Sequence, residues 1–520
     1  MEGVNYNPPV QRAVTIALGV VLLSVILTPI QRELYVGDET KYSQVVREMR
    51  GGSIFLPTLE GSPFTHKPPL HFWIIDALTV PFGVYSIWPF VIPSLLAFGA
   101  LVWLLYRMGG PFAAFVGGTS LMVWGSAQTA RMDVSFTALL VLAAWLIERF
   151  LARDDFRALL WAAVAVGVAA LVKGPMAPVI AICLLLFEGL RRRRLPRGNY
   201  VLPVLAMLAV PLLWLVPAVI IGGENYWREI FFKQTVGRAV GAWVHKSPPW
   251  FYLAHAPADL VPWFLLLVVA LVAAYKRNDE RAKFFISWLL AVLVPYSLIS
   301  SKLDIYMMAM IPPAALLIGR LLEIEDRWWT WGRRANLVML ALFAVIGAAG
   351  LFLQPHHIHG LGGKGPDAEL VSLPRVKALF IVMLVAAIAG GVVAWRSRDL
   401  RVSTLAAGFV PLLALMYLGV ALVPLANDMA STRPLVAAIA AQRVPAAEVA
   451  CYVCPHLWVR GMARELEAVR RVEAAELQTW SPRVIVTRRK DAAAIAPALQ
   501  GYRKAGEFRM IGKWFDVYRR

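Results

Sequence analysis

Charged side chains are scarce in this chain. Of its 520 residues only 16% are Asp, Glu, Lys or Arg, whereas 59% are hydrophobic, and the mean hydropathy is +0.62. Soluble domains carry about 25% charged residues, so this composition excludes an ordinary soluble protein. Apolar runs of about 20 residues recur along the chain, and each is long enough to cross a hydrocarbon layer of about 30 Å. The chain is therefore predicted to be a polytopic α-helical membrane protein.

Acidic residues are the rarer charged type. There are 33 of them against 52 Lys and Arg, which gives a formal net charge of +19. Such an excess can indicate nucleic-acid binding. Most of the basic residues, however, fall in short segments beside the apolar runs, as the positive-inside rule expects. Membrane lipids are therefore expected as partners, and nucleic acid is not.

Cysteine is also rare. Cys183 lies within an apolar run and is predicted to be a packed thiol, while Cys451 and Cys454, in CYVCPH, are predicted to form a local disulfide or to remain two free thiols. No small-residue cleavage site follows the first apolar run, so that run is expected to be a retained helix rather than a signal peptide.

Thirteen apolar runs are predicted to cross the membrane. They lie near 13–30, 85–106, 111–129, 133–151, 157–172, 174–190, 201–221, 257–275, 283–300, 304–322, 335–353, 375–395 and 402–424. A further apolar segment, 69–80, is short and contains His71 and Asp76. If it does not cross and the N-terminus is inside, nearly every basic short loop also falls inside. Segment 69–80 is therefore expected to be re-entrant or interfacial.

The chain is predicted to divide near residue 424. Residues 1–424 form the transmembrane domain, with a long outer loop at 31–84, and residues 425–520 form a small α/β domain outside the membrane. The second part alternates helix-like segments with short β-rich runs, at Pro434–Gln442, Val449–Val453, Met462–Val472, Val484–Val486 and Trp514–Tyr518.

The outer loop opens with two adjacent carboxylates, Asp38 and Glu39. Apolar residues then repeat at helical spacing, which predicts a short amphipathic helix over 39–50, lying flat on the membrane and ended by Gly51 and Gly52. Two carboxylates at a membrane boundary can act as a base, a metal site or a stabiliser of positive charge. Alternatively, Asp38 simply caps the helix.

Further candidates lie in other loops that share the outer side. Asp133, in TARMDVSF, begins an apolar run and can pair with Arg131 or Lys67. Lys67 stands before two prolines, and it is a candidate phosphate ligand together with Arg238, Lys302 and Tyr306. The alternative for each cation is contact with water or lipid headgroups. Carboxylate, cations and aromatic hydroxyl together suit chemistry on a phosphate-bearing lipid.

Histidines raise the question of a metal. His66 and His245 lie in two outer loops expected to converge, and His356, His357 and His359 lie in a glycine-rich loop. None of these spacings is a strong zinc signature. The motifs therefore require no cofactor, and a divalent metal at His66 and His245 remains an alternative.

Several motifs resemble those of the bacterial polytopic glycosyltransferases of the GT-C class, in particular the lipid A aminoarabinose transferases and the protein O-mannosyltransferase-like enzymes. The similar stretches are DETKY with KPPL in the outer loop, RMDVSFTALL, KGPMAP, GRAVGAWVHKSPPWFYL and SSKLDIYMMAMIPP. By this resemblance Asp38 is the catalytic acidic residue, Asp133 the second functional aspartate and Lys67 the lysine on the carrier phosphate. His66 departs from the acidic residue that aminoarabinose transferases tend to have before KPPL.

The resemblance implies an inverting glycosyltransferase that takes a sugar from a polyprenyl-phosphate carrier. The expected acceptor is a lipid or glycan such as lipid A. The expected location is the bacterial inner membrane, with the N-terminus in the cytoplasm and the C-terminal domain in the periplasm. A polysaccharide polymerase or ligase and a protein O-glycosyltransferase share this donor chemistry and remain alternatives. A lipid or solute transporter is a third, although transporters tend to carry internal repeats, which this sequence lacks.

Overall fold

The computed structural model describes residues 8–237, 246–360, 370, 372–453 and 463–520. Its main helices are α1 Pro8–Gln31, α2 Asp38–Gly51, α3 Leu70–Phe82, α4 Trp88–Thr119, α5 Leu121–Ala127, α6 Met132–Arg153, α7 Phe156–Lys173, α8 Met176–Arg192, α9 Val201–Arg228, α10 Phe251–Asp259, α11 Phe264–Arg277, α12 Glu280–Leu298, α13 Ile311–Glu323, α14 Trp328–Phe352, α15 Pro374–Arg396, α16 Leu400–Tyr417, α17 Val423–Ala430 and α18 Arg433–Ala440. Its strands are β1 Thr58–Leu59, β2 Ser62–Pro63, β3 Val449–Tyr452, β4 Arg470–Val472, β5 Val484–Arg488, β6 Arg503–Met510 and β7 Lys513–Arg519.

Helices long and apolar enough to cross a membrane confirm the predicted class. Ten single helices within the described ranges qualify, and the bent pair α10 and α11 makes up to eleven. Two features account for the difference from thirteen. Most of the run near 85–106 and the first part of the run near 111–129 lie in one helix, α4, where Gly109 and Gly110 break the helical geometry. In addition, α8 has only 17 residues.

Segments 69–80 and 257–275 both differ from an ordinary straight transmembrane helix. Segment 69–80 forms α3, whose 13 residues span about 20 Å, too little to cross the hydrocarbon layer. The run predicted near 257–275 lies in α10 and α11, which pass together as one candidate span but are bent by 113° where they join. Pro257 and Pro262 lie in and beside this bend, and proline removes the backbone donor that a continuous helix needs.

Close helix packing depends on small residues at the contacts. A Cβ atom added to Gly347 of α14 would lie 2.8 Å from the backbone nitrogen of Leu384 in α15, so only glycine permits this approach. The largest apolar core runs from α1 to α16 and includes aromatic side chains with almost no exposure, such as Phe112, Phe115 and Trp288.

Ion pairs join the loops that the charge pattern assigned to the inner side of the membrane. Arg281 pairs with Glu148 at 2.7 Å, Arg277 with Asp326 at 2.8 Å and Arg191 with Glu280 at 2.5 Å. These contacts join four separate loops at one end of the helices. The basic loops that were predicted to share one side therefore lie together in the structure.

The C-terminal residues form a mixed five-stranded sheet in the order β4-β3-β5-β7-β6. Strands β4, β3 and β5 are parallel, while β7 is antiparallel to β5 and β6. The predicted β-rich runs became β3, β5 and β7. The predicted helix-like segment Met462–Val472 was wrong in its described part, because it holds a turn and then β4, which pairs with the buried strand β3.

The sheet lies at the same end as the outer loop. Arg471 of β4 pairs with Glu60 at 2.8 Å, and Ile511 donates its backbone N–H to Met429 of α17 at 2.7 Å. The last apolar helix run extends to Ala430, so the predicted boundary at 424 falls inside it and stays a prediction. Cys451 is disulfide-bonded and Cys183 is a free thiol, while Cys454 lies outside the described residues.

Candidate functional site

Helix α2 brings the two carboxylates of the outer loop into defined positions. Gly37 has a φ of 147°, a conformation that favours glycine, and turns the chain into the helix. The hydroxyl of Thr40 donates to the Gly37 carbonyl at 2.8 Å and accepts from its N–H at 3.1 Å. Asp38 makes no capping bond and instead accepts from Lys41 at 3.2 Å, with 44% of its side chain exposed. The capping alternative for Asp38 was therefore wrong.

The apolar face of α2 packs inside the protein. Tyr42, Val45, Val46 and Met49 are at most 4% exposed, and α2 contacts α3 and β1. The expectation that this face lies on the membrane was wrong, because the outer loop supplies its own apolar partner in α3.

The side chain of Glu39 is buried, and both of its carboxylate oxygens accept hydrogen bonds. Its carboxylate pairs with Arg32 at 2.6 Å and accepts the backbone N–H groups of Tyr35 and Ala130, both at 2.8 Å. These bonds join the end of α1, the start of α2 and the turn before α6. Since three donors hold this carboxylate, the structure favours a positioning role for Glu39 over the catalytic role expected from the sequence.

Asp133 lies in the first turn of α6, where it is 6% exposed. Its partner is Lys173, the last residue of α7, which donates to the Asp133 carboxylate; both side chains are 9% exposed. The sequence had suggested Arg131 or Lys67 as the partner. Lys173 opens the KGPMAP stretch but was not predicted as a site residue, because α6 and α7 bring it to Asp133 by packing and neither stretch indicates the pair.

Several cations act on Asp133. Lys173 bonds its carboxylate directly, and the charges of Lys67 and Arg131 act on it electrostatically. Three cations from three separate segments thus influence one buried carboxylate, although Asp38 and Glu39 also act on the neighbouring Tyr42. Phosphate, which lysine and arginine bind well, fits such a cluster.

Tyr42 links this cluster to Asp38. Burial first, and then the negative charges of Asp38 and Asp133, raise the pKa of Tyr42 well above its usual value. Its hydroxyl therefore stays protonated at neutral pH and can donate a hydrogen bond. Asp38 and Asp133, the two aspartates singled out from the sequence, thus act on the same buried side chain.

An aromatic wall flanks the cations on the side of α12. The Lys173 ammonium lies 4.7 Å from the ring centre of Tyr306 and 5.4 Å from that of Phe136. Tyr306 in turn stacks on Tyr296 at 5.0 Å. Cation–π contacts hold Lys173 in place. Tyr306 therefore lies beside Lys173 in this cluster, and its predicted contact with phosphate stays a prediction.

Lys302 is placed differently from the expectation. Its side chain is buried, and its ammonium donates to the carbonyl of Ser247 at 3.1 Å and to that of Ile299. Removal from water lowers the pKa of Lys302. These bonds favour an anchoring role, which ties the segment after α12 to the one before α10, over the phosphate-binding role predicted for it.

The remaining predicted residues form no described cluster. His66 is exposed, and its ring meets that of Phe64 edge to face at 5.3 Å. Arg238 and His245 lie outside the described residues, so the predicted phosphate contact of Arg238 and the predicted metal pair of His66 and His245 stay predictions.

His71 of α3 is a buried histidine beside the cluster. Burial lowers its pKa to about 4, although the negative charge of Asp133 opposes the shift. The folded protein therefore resists protonation of this ring more than the unfolded chain does. The contribution of His71 to the free energy of unfolding is therefore most favourable above pH 6.5 and is lost as the pH falls toward 4.

We expect this loss to reach about 2–3 kcal/mol of unfolding free energy by pH 4.5, because each tenfold change in proton affinity is worth about 1.36 kcal/mol. Melting temperatures in detergent between pH 7.5 and 4.5 would measure it. His71→Phe should flatten the profile. An equal slope in parent and variant would show that other groups cause the acid sensitivity.

Known proteins are similar in sequence to this chain over much of its length. Residues 66–219 match a family model described as dolichyl-phosphate-mannose-protein mannosyltransferase. Two undecaprenyl phosphate-alpha-4-amino-4-deoxy-L-arabinose arabinosyl transferases of Pseudomonas fluorescens are 28% and 29% identical, over 62% and 67% of this chain and 60% and 68% of their own lengths. That of Pseudomonas aeruginosa PAO1 is 31% identical over 56% of each chain. The chain thus matches about three fifths of the length of these relatives.

A solved structure matches nearly the whole chain. ArnT from Cupriavidus metallidurans bound to undecaprenyl phosphate superimposes with a TM-score of 0.73 at 19% identity, covering 99% of this chain and 98% of that one. Its apo state gives a TM-score of 0.71. At such identity the likeness establishes the fold, including the C-terminal sheet. The chain is a membrane protein with the fold of this solved structure, and it is similar in sequence to the bacterial aminoarabinose transferases.

Proposed function

We propose that this protein is a glycosyltransferase that moves a sugar from a polyprenyl-phosphate carrier to a cell-envelope acceptor such as lipid A. The observation that carries the proposal is the group of cations at Asp133, where Lys173 bonds the buried carboxylate and Lys67 and Arg131 act on it electrostatically. The transferases similar to this chain are named for undecaprenyl phosphate-linked aminoarabinose, which supports this donor class.

The proposed reaction is a single displacement with inversion at the anomeric carbon. A bond forms between the acceptor oxygen and that carbon while the carbon–oxygen bond to the carrier phosphate breaks. Negative charge then builds on the leaving phosphate, where the fixed cations stabilise it. Preorganised cations act without reorientation, so this scheme needs no metal or other cofactor.

Asp38 is the proposed carboxylate for the acceptor side. It is exposed at the start of α2, and its salt bridge with Lys41 is a surface one of low energy. If the acceptor is a hydroxyl, Asp38 takes its proton. If the acceptor is a phosphate, which is already ionised, Asp38 instead stabilises the positive charge that develops on the sugar.

A protein hydroxyl is the second candidate acceptor. The family model that matches residues 66–219 is named for a protein mannosyltransferase, which favours this alternative over a polysaccharide polymerase or ligase. The sequence similarity to sugar transferases argues against the transporter alternative.

Release of the free carrier phosphate tests the proposal. Purified protein would be incubated with defined polyprenyl-phosphate sugars, either with lipid A or with an acceptor peptide. Transfer and stoichiometric carrier release are expected with one of them. Movement of the intact donor between leaflets of a vesicle, with no carrier release, would identify a transporter instead.

Lys67→Ala is expected to lower kcat/KM for the lipid donor by about 10- to 100-fold, or about 1.4–2.8 kcal/mol. The reason is the loss of one charge-assisted contact with the carrier phosphate. Arg50→Ala is a matched control, because Arg50 is an exposed cation of the same loop that pairs with Asp76 at 3.0 Å. Normal donor kinetics in a well-folded Lys67→Ala protein would disprove the phosphate role.

We propose a bacterial inner-membrane location, with the N-terminus in the cytoplasm and the sheet in the periplasm. The basic loops joined by ion pairs at the opposite end support this orientation. A reporter that is active only in the periplasm should work when fused after Arg520. Activity of a cytoplasm-only reporter at that position would reverse the orientation.

A further inference from the structure

Three potential metal ligands meet beside the aromatic wall, at residues outside those predicted to bind metal. His255 and Asp259 lie on α10, four residues apart and therefore on one helix face. Asp304 begins the turn Asp304–Met310, which also carries Tyr306. One ligand atom from each of the three residues lies within 4.8 Å of the others.

The local contacts leave this cluster short of positive charge. His255 Nδ1 lies 2.6 Å from Asp304 Oδ1, and the two carboxylates act on each other electrostatically. Within the described residues, His255 is the positive group that acts on Asp259. A single imidazole cannot neutralise two carboxylates.

Asp259 adds an independent observation. Its Oδ2 atom is buried and has no hydrogen-bond partner among the described residues. A buried carboxylate oxygen without a donor is costly, and a bound cation would satisfy it. The imidazole is held in place by the ring of Phe251, whose centre lies 3.9 Å away. The His255 and Asp304 side chains are 43% and 53% exposed, so an ion can reach the cluster from water.

We propose that His255, Asp259 and Asp304 bind one divalent metal ion, such as Zn²⁺ or Mn²⁺. Imidazole nitrogen with carboxylate oxygen favours these ions over Mg²⁺ and Ca²⁺, which prefer all-oxygen sites. Bonds of about 2.0–2.2 Å place neighbouring ligands about 3.4 Å apart, so small side-chain movements complete the site. Three protein ligands leave at least one coordination position for water or an anion.

The ion would fasten α10 to the turn that carries Tyr306. That turn reaches the Lys173 cation through the Tyr306 ring, so metal binding would stiffen one wall of the cluster around Asp133. This role concerns binding and rigidity, and it holds whether or not the protein transfers a sugar.

Zn²⁺ binding by the purified full-length protein in detergent tests the proposal. After treatment with a chelator, the parent is expected to take up one Zn²⁺ that Asp259→Asn and Asp304→Asn bind on the order of 100-fold more weakly, since even supporting partners of metal ligands cost 10–100-fold. Co²⁺ should give a visible absorption band in the parent and none in these two variants. Asp428→Asn, at an exposed carboxylate, is the matched control and should behave as the parent does.

Thermal melting separates lost binding from lost folding. Zn²⁺ should raise the melting temperature of the parent and of the Asp428→Asn control, and leave that of Asp259→Asn unchanged. Equal Zn²⁺ uptake and an equal thermal shift in the parent and the ligand variants would overturn the site. A rise in melting temperature of metal-free Asp259→Asn with no Zn²⁺ uptake by the parent would also overturn it, because the cluster would then be a strained hydrogen-bonded group.

Discussion

Asp38→Asn is expected to lower the turnover of sugar transfer by about 10²- to 10⁴-fold while the protein melts like the parent. The Asp38 side chain makes no capping bond to α2, and Thr40 instead bonds the backbone of Gly37. Its one described side-chain contact, with Lys41 at 3.2 Å, is an exposed salt bridge of little energy. Stability therefore does not need the carboxylate, whereas proton transfer or charge stabilisation does.

Transfer assays and thermal melts of the same preparation measure both effects. Asp76→Asn is the matched control, since it removes a carboxylate from the same outer loop that pairs with Arg50. Full activity in Asp38→Asn would exclude this residue from the chemistry. A loss of about tenfold, or about 1.4 kcal/mol, would favour orientation of the sugar over proton abstraction.

The features predicted correctly from the sequence are those that short stretches encode by themselves. The helix over 39–50, the short segment 69–80 and the strands near 449, 484 and 514 all follow from hydrophobic periodicity, length and β-branched residues. The positive-inside rule likewise grouped the basic loops that the fold joins. Each of these signals is local, or is a sum of local ones.

Contacts between residues that are far apart in the sequence could not be predicted from such local signals. Asp133 lies 40 residues from Lys173, and Glu39 lies 91 residues from Ala130. Which cation meets which carboxylate depends on how helices pack, and the same residue types fit several pairings. The buried ammonium of Lys302 shows the limit clearly, because a lysine bonded to backbone carbonyls and one bonded to phosphate look alike in sequence.

The prediction of a helix-like segment at Met462–Val472 was wrong for a related reason. Its charged and apolar residues alternate in a way that suits a helix, yet Arg470, Arg471 and Val472 pair in parallel with Ala450, Cys451 and Tyr452. Only Val472 of the three is buried. An edge strand with one buried residue carries too little periodicity to be recognised, and the neighbouring strand decides its structure.

The pair of Asp133 and Lys173 makes the strongest prediction about stability. Lys173→Met keeps the volume of the side chain but leaves the Asp133 carboxylate without its direct partner in a position where both side chains are 9% exposed. Removing one member of a buried ion pair costs about 3–5 kcal/mol. We therefore expect a large fall in melting temperature and in transfer activity, because the Lys173 charge is also lost from the proposed phosphate site.

A second substitution separates these two effects. In the Lys173→Met background, Asp133→Asn removes the unpaired carboxylate and should recover most of the lost stability, as a double-mutant cycle would show. Transfer should stay low in the double variant, because neutral side chains cannot stabilise charge on the leaving phosphate. Recovery of both stability and transfer would mean that the pair only holds α6 against α7. A Lys173→Met protein that melts like the parent would mean that Lys67 and Arg131 already balance the Asp133 carboxylate.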